Sequence, residues 1–169
     1  MVERATTVLR QVVGEVVVVS GRPLTAPPAP KVADRVEGAG PLGGLDAALR
    51  HARDRGLEGV LLVACDLPLL TAALLRQVVA GLGEQHPAAA PARRGGGVEP
   101  LCAAYRVEVL EAVERRLARE DRSLHALFRD VGGHVLADIA TAGGDPFLNV
   151  NTLDELGRAE TALASGGGR

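Results

Sequence analysis

Residues 60–70 read VLLVACDLPLL, an apolar run that ends at an acidic residue and a proline. Val60 to Ala64 lacks polar alternation, so it predicts a strand buried on both faces, as in a parallel sheet covered by helices. Upstream, the β-branched run Val16 to Val19 predicts a second such strand. Between them, apolar residues recur at helical spacing, at Leu45, Ala48, Leu49 and Ala52. This alternation predicts an α/β domain with a mostly parallel sheet and helices on both faces.

The remaining periodic segments extend the same alternation. They predict helices over residues 3–13, 45–56, 72–82, 109–117, 123–129 and 152–164. They predict short strands over residues 31–34, 87–92, 101–105, 134–137 and 147–150. Thr71 is the expected N-cap of the third helix, and residues 38–44, GAGPLGG, are expected to form a loop. One domain therefore covers residues 1–164, and residues 165–169 are expected to be a disordered tail.

The bulk composition argues against several classes of protein. The 169 residues carry a net charge of −2 and 2% aromatic residues, a poor match to nucleic-acid binding by phosphate contacts or base stacking. Residues 1–14 are amphipathic and charged, unlike a signal peptide, and no apolar run is long enough to cross a membrane. Cys65 and Cys102 form no C-x-x-C pair, which argues against a cysteine-based zinc site. We therefore expect a cytoplasmic protein that binds neither nucleic acid nor membrane.

Polar residues that directly follow the predicted strands are the candidates for a ligand site. Ligands of open α/β sheets bind outside the carboxyl ends of the strands. Asp66 follows the strand at residues 60–64 and could hold Mg²⁺ that bridges phosphate oxygens, or could only cap the next turn. Ser20 and Arg22 follow the valine strand and suit either a polar ligand or a solvated loop.

Two further segments carry polar groups of interest. Asp34 precedes residues 38–44, which lead into a helix N-terminus whose amides favour anions; a simple glycine-rich turn is the alternative. Asn149 and Asn151 share one face of an extended segment and could read a ring edge or a ribose, or Asn151 could cap the last helix. Glu99 ends a turn, where a turn role is favoured over substrate contact. Neither G-x-G-x-x-G nor a P-loop is present, and the histidines lack ligand spacing.

Seven segments occur in an order that resembles one known family. They are VVVVSGRP, VADRV, GAGPLGGLDAAL, VLLVACDLPLL, EPLCAAYR, RSLHALF and FLNVNTLDEL, and the likeness runs over about residues 1–156. This order resembles the molybdenum cofactor guanylyltransferases, within the MobA-like nucleotidyltransferases. The resemblance implies a Rossmann-like, three-layer fold that binds GTP and Mg²⁺, transfers GMP to the terminal phosphate of molybdopterin and releases pyrophosphate. It also implies other molybdenum-cofactor proteins as partners.

The resemblance assigns roles to individual residues. Asp66 matches the catalytic Mg²⁺ carboxylate that also meets the nucleotide, and Asp34 matches a guanine-nucleotide contact. Ser20 and Arg22 occupy the nucleotide-binding place where the family usually has an asparagine, which this chain lacks there. The substrate-binding positions are matched by Gly40, Pro41, Gly43, Asn149 and Asn151.

The start of the chain departs from the family pattern. The family opens with a strand and a loop of the form LAGGxSxRMGxDK, whose amides and lysine hold the triphosphate, and no segment here matches it. That strand would be central, so the strand at Val16 to Val19 is expected to lack a neighbour and leave an apolar edge open. A mis-called start codon or a truncated gene would explain this. The alternative is a short protein that is inactive or completes its sheet from another chain, with transfer slowed by more than about 10²-fold.

Three other functions compete with this reading. VLLVACDLPLL loosely resembles the phospho-acceptor strand of a response-regulator receiver, but that fold needs a lysine after a later strand and none follows Lys31. A MobA-like transferase with a CMP or AMP donor is the second rival, although RSLHALF and FLNVNT favour molybdopterin. A catalytically inactive binding domain is the third.

Overall fold

The computed structural model describes residues 1–21, 25–36, 38–67, 69–137, 139 and 147. The first half of the chain forms α1 Val2–Leu9, β1 Val18–Ser20, β2 Lys31–Ala33, α2 Gly40–Asp54, β3 Gly59–Val63 and α3 Ala72–Ala80. The second half forms β4 Ala88–Pro91, β5 Cys102–Arg106, a 3₁₀ turn Val107–Val109, α4 Leu110–Ala118, α5 Leu124–Asp130 and β6 His134–Leu136. The strand predicted at residues 147–150 and the helix predicted at residues 152–164 lie outside the described residues, apart from Phe147.

The described strands form two sheets. β1 and β2 pair in parallel, with Val18 opposite Lys31. The larger sheet has the order β3-β5-β4-β6, in which β5 is antiparallel to both neighbours and β4 is parallel to β6. Only β5 is antiparallel within the two sheets, so the predicted α/β class with a mostly parallel sheet is confirmed. The reversed direction of β5 was not visible in the sequence.

The direction of α2 relates the two sheets. A methyl group built on Gly44, near the N-terminus of α2, would lie 3.9 Å from Val19 of β1. At the other end of α2, His51 Nε2 lies 2.8 Å from the carboxylate of Glu15, which precedes β1. α2 therefore runs antiparallel to β1. A short turn follows α2, in which the Leu57 amide donates a hydrogen bond to the Ala52 carbonyl. This turn reverses the chain and leads into β3, so β3 runs in the same direction as β1.

Helices cover both faces of the larger sheet. One apolar cluster contains Leu42, Leu45, Leu49, Tyr105, Val113, Leu127 and Phe128. The other contains Leu67, Leu70, Leu74, Leu75, Cys102 and Phe147, with Val8, Leu9 and Val12 of the first helix and its following turn packed against it. Along β5, Tyr105 and Cys102 belong to opposite clusters, as side-chain alternation in a strand requires. The predicted three-layer arrangement is thus confirmed.

Several element boundaries differ from the sequence predictions. α1 ends at Leu9 instead of Val13, and β1 begins at Val18 because β2 offers only three pairing residues. The clearest correction is α2, which begins at Gly40, so the predicted loop GAGPLGG is largely the first turn of a helix. Pro41 favours this start, because its fixed φ suits the first helical positions and its missing N–H would have no intrahelical partner there. None of the described helices is long and apolar enough to span a membrane.

Candidate functional site

The candidate polar residues collect at the edge of the sheet where β1, β2 and β3 end. Ser20 is the last residue of β1, Asp34 follows β2, and Asp66 comes three residues after β3. Because these strands run in one direction, their carboxyl ends meet the N-terminal turn of α2. The sequence prediction that these residues share one edge agrees with this arrangement.

Asp34 lies against the first turn of α2. One of its carboxylate oxygens accepts a hydrogen bond from the Val36 amide at 3.1 Å. A methyl group built on Gly43 would lie 2.9 Å from Asp34 Oδ1 and 2.8 Å from the Cβ of Ala39, closer than real Cβ contacts allow. Gly43 is therefore required by close packing, although the helix itself would accept alanine. The absence of a side chain there lets the carboxylate sit beside the helix N-terminus, where the helix dipole favours a negative charge.

Asp66 lines an open cavity of about 340 Å³. The polar and helix-start residues around this cavity are Pro41, Asp66, Arg93, Glu99, Arg122, Ser123 and His125. The sequence grouped only Asp66 and Pro41 of this set, and the structure brings these two together. Within the described part of the chain, no hydrogen bond or salt bridge engages the Asp66 carboxylate, which leaves it available to a ligand.

Glu99 is buried at the wall of the same cavity, with 6% of its surface exposed. One carboxylate oxygen accepts a hydrogen bond from the Leu101 amide at 3.2 Å, and the other lies 3.2 Å from Arg93 Nη1. Glu99 therefore has the turn role that the sequence favoured and also anchors a cavity arginine. Burial, with the nearby Glu99 charge adding to it, raises the pKa of Cys102 to about 12, so this thiol stays protonated.

Arg122 connects two parts of the chain at the mouth of the cavity. Its Nη1 donates a hydrogen bond of 2.6 Å to the carbonyl oxygen of Gly38, across 84 positions of sequence. The contact ties the segment before α5 to the turn before α2. Arg93, Arg122 and His125 give the cavity three basic side chains, a set that suits a phosphorylated ligand. Arg122 and His125 belong to the RSLHALF segment that contributes to the family resemblance, but sequence reasoning gave no site role to them or to Arg93.

The carboxylates near the cavity could supply a magnesium ion with only one or two protein ligands. Among the described residues, no group of three or more His, Cys, Asp or Glu side chains could hold a metal. Mg²⁺ is commonly bound by one or two carboxylates together with substrate phosphates, so a single free carboxylate such as Asp66 is compatible with it. Three predicted site residues, Arg22, Asn149 and Asn151, lie outside the described residues. Gly40, Pro41 and Gly43 were assigned to a substrate-side loop, but they lie in the first turn of α2 because Pro41 supports a helix start.

Comparison with known proteins links this arrangement to one family. The family model for the MobA-like NTP transferase domain matches residues 1–136. A molybdenum cofactor guanylyltransferase of Desulfosudis oleivorans is 29% identical over 172 residues, covering 98% of this chain and 83% of the relative. One from Mesorhizobium japonicum is 33% identical over 141 residues, covering 80% of this chain and 68% of the relative. A crystal structure of an Aquifex aeolicus VF5 protein superposes with a TM-score of 0.75 at 26% identity, covering 89% of this chain and 78% of that one.

Proposed function

The chain belongs to the MobA-like NTP transferase family, and we propose that it transfers GMP from GTP to the terminal phosphate of molybdopterin, releasing pyrophosphate. Support for the guanylyl donor and this acceptor comes from two relatives, both named molybdenum cofactor guanylyltransferase. In this reaction an oxygen of the acceptor phosphate bonds to the α-phosphorus of GTP. The bond from that phosphorus to the bridging oxygen of the β-phosphate breaks, and the electron pair leaves with pyrophosphate.

The observation that carries the proposal is the Asp66 cavity. Asp66 is a carboxylate without a described partner, and it faces basic side chains at the carboxyl edge of the sheet. We assign Asp66 as the residue that holds Mg²⁺, which supplies positive charge to the triphosphate when it is bound. We assign Asp34, which lies beside Gly43 at the same edge, as an acceptor of hydrogen bonds from the guanine nucleotide.

The basic side chains fit the anionic acceptor. Arg122 is held by the carbonyl oxygen of Gly38, and Arg93 is held by the carboxylate of Glu99. Two preorganised guanidiniums can orient a phosphate by paired hydrogen bonds, and fixed donors lose little side-chain entropy on binding. Ser20, Arg22, Asn149 and Asn151 remain proposed contacts for the nucleotide and the acceptor.

The proposal is tested by measuring pyrophosphate release from GTP, with molybdopterin and Mg²⁺, by the full chain and by Asp66→Asn. The neutral amide keeps the shape of Asp66 but removes its charge, so the rate should fall at least about 10²-fold. Asp54→Asn is the matched control, because Asp54 is exposed at the end of α2 and outside the cavity, and its rate should be unchanged.

Parallel assays with CTP and ATP distinguish the rival activities. Faster turnover with CTP or ATP than with GTP would replace the guanylyl donor but keep nucleotidyl transfer. If none of the three nucleotides turns over while Mg²⁺-dependent nucleotide binding persists, the chain acts as a binding domain and the proposed transfer is wrong.

A further inference from the structure

Two histidine rings stack on each other at the amino ends of β4 and β6. The ring centroids of His86 and His134 lie 4.9 Å apart, and the ring planes differ by 29°. His86 comes two residues before β4, and His134 is the first residue of β6, which pairs in parallel with β4. Because β3 and β4 are both antiparallel to β5, the carboxyl end of β3, which leads to Asp66, lies at the opposite edge of the sheet. The stacked pair is therefore separate from the Asp66 cavity, which neither histidine lines.

Each ring uses its Nδ1 atom for a hydrogen bond to a backbone carbonyl. His86 Nδ1 lies 3.2 Å from the carbonyl oxygen of Gly132, and His134 Nδ1 lies 3.2 Å from that of Gly81. A carbonyl oxygen only accepts hydrogen bonds, so Nδ1 is the protonated nitrogen in both rings. In a neutral imidazole, Nε2 then carries a lone pair. Among the described residues, no hydrogen bond or ion pair engages either Nε2.

Both carbonyls lie at the C-terminal ends of helices. Gly81 is the C-cap of α3, and Gly132 follows the C-cap of α5. Carbonyls at a helix C-terminus lack an intrahelical donor, which explains why each accepts a hydrogen bond from a side chain. The negative end of the α3 dipole also favours a positive charge on the neighbouring ring or on an ion that the ring holds.

These hydrogen bonds are the ones that metal-binding histidines make. A ligating histidine usually donates its second ring N–H to a carbonyl or carboxylate, which fixes the tautomer and makes the ligating nitrogen more basic. An ion bound at about 2.1 Å by two imidazoles requires the two nitrogen atoms to be about 3–4 Å apart. Nε2 lies off the centre of its ring, so a small tilt of the exposed His86 ring brings the two Nε2 atoms from the stacking distance to that separation.

We propose that His86 and His134 bind one divalent transition-metal ion through their two Nε2 atoms. Imidazole pairs suit Zn²⁺, Ni²⁺ and Cu²⁺, whereas Mg²⁺ prefers oxygen ligands, so this ion differs from the one assigned to Asp66. Within the part of the chain that the structure describes, no third His, Cys, Asp or Glu side chain completes a metal-binding group, so water would fill the other coordination positions. The ion would tie the segment before β4 to the first residue of β6.

Nitrogen-15 NMR of the imidazole rings tests the proposal on the unaltered chain. At mildly alkaline pH, where histidine is ordinarily neutral, His86 and His134 should both be the Nδ1–H tautomer, the opposite of the form that free histidine prefers. Zn²⁺ should shift the Nε2 signals of these two rings, and Mg²⁺ should shift neither. An Nε2–H tautomer in either ring, or Nε2 signals that Zn²⁺ does not move, would overturn the proposal.

Calorimetric titration of the full chain with Zn²⁺, without a polyhistidine tag, measures the affinity. Excess Mg²⁺ in the buffer occupies the carboxylate ligands, including Asp66. His86→Gln and His134→Gln should each weaken Zn²⁺ binding at least about ten-fold, because one imidazole alone forms no chelate. His125→Gln and Cys65→Ser are the matched controls, since both residues are exposed and lie outside the pair, and the affinity should be unchanged. Equal affinity of the parent chain and the His86 and His134 variants would place the ion elsewhere and refute the site.

Thermal unfolding separates a metal site from a stacking contact that only supports the fold. An ion that binds the folded chain better than the unfolded chain raises the melting temperature. Zn²⁺ should raise it for the parent chain but not for His86→Phe, which keeps a ring that can stack on His134 and removes one ligand. Circular dichroism establishes that the variant is folded. If His86→Phe responds to Zn²⁺ as the parent does, or if the parent does not respond, the two rings only pack together and the proposal is wrong.

Discussion

Gly43 and Gly44 are neighbours in one helix, yet replacing each by alanine should have opposite effects on stability. They are the fourth and fifth residues of α2. A methyl group on Gly44 would meet only Val19 Cγ1, at 3.9 Å, which is an ordinary van der Waals contact. A methyl group on Gly43 would lie 2.8 Å from the Cβ of Ala39 and 2.9 Å from Asp34 Oδ1. Ala39 is fully buried and has no side chain that can rotate away, so the backbone itself would have to shift.

The magnitudes follow from two terms. Alanine in place of glycine stabilises a helix by about 0.5–1 kcal/mol, because glycine loses more backbone entropy on folding. This gain applies to both positions, and for Gly44→Ala nothing opposes it. Overpacking at Gly43 costs about 1–3 kcal/mol. The unfolding free energy of Gly43→Ala should therefore lie about 1–3 kcal/mol below that of Gly44→Ala, a difference in which the helix term cancels.

Urea unfolding followed by circular dichroism measures both variants against the parent chain, and equal m-values ensure that the comparison reports on the folded state. Nucleotide binding provides a second readout, because displacement of Asp34 should weaken GTP binding in Gly43→Ala but not in Gly44→Ala. Equal stability of the two variants, or a more stable Gly43→Ala, would refute the steric account of Gly43.

Three further predictions concern other parts of the molecule. From about pH 9 upward Cys102 should lower the free energy of unfolding by up to about 1.4 kcal/mol per pH unit, because burial raises its folded-state pKa to about 12 from 9.0 and the unfolded thiol therefore ionises first. Burial also raises the pKa of Tyr105 above its ordinary value of 10.0, so this phenol adds to the fall at higher pH. Cys102→Ala should therefore remove most of the slope between pH 9 and 10 in urea titrations, and an unchanged slope there would contradict the assignment. Arg122→Met should lower the unfolding free energy by about 1 kcal/mol by removing the hydrogen bond to Gly38, with partial recovery in Arg122→Lys; equal stability of the two would contradict this role. The Arg116 side chain is 13% exposed and bridges two aspartates, so Arg116→Leu should lower the free energy of unfolding by about 2 kcal/mol. The Arg115 side chain is 63% exposed, so Arg115→Leu should change the same free energy by less than about 0.5 kcal/mol.

The elements that sequence reasoning located well are those in which local pattern and tertiary packing agree. The apolar run at β3 and the Thr71 cap, whose side chain accepts from the Leu74 amide at 3.2 Å, are both of this kind. The start of α2 is the opposite case. GPLGG favours a loop by intrinsic propensity, because glycine is a poor helix former. Close contacts with Asp34 outweigh that propensity, and they depend on chain segments far from the helix in sequence.

The same distinction applies to the candidate site. Asp66 could be predicted because a rule about strand ends places it at the ligand edge without any knowledge of packing. Arg122 could not, because its importance depends on a hydrogen bond to Gly38 that spans 84 positions. The salt bridge between Arg93 and Glu99 was likewise hidden, because each residue alone looks like part of a solvated turn. Residues whose role is to position another group therefore need the fold before they can be identified.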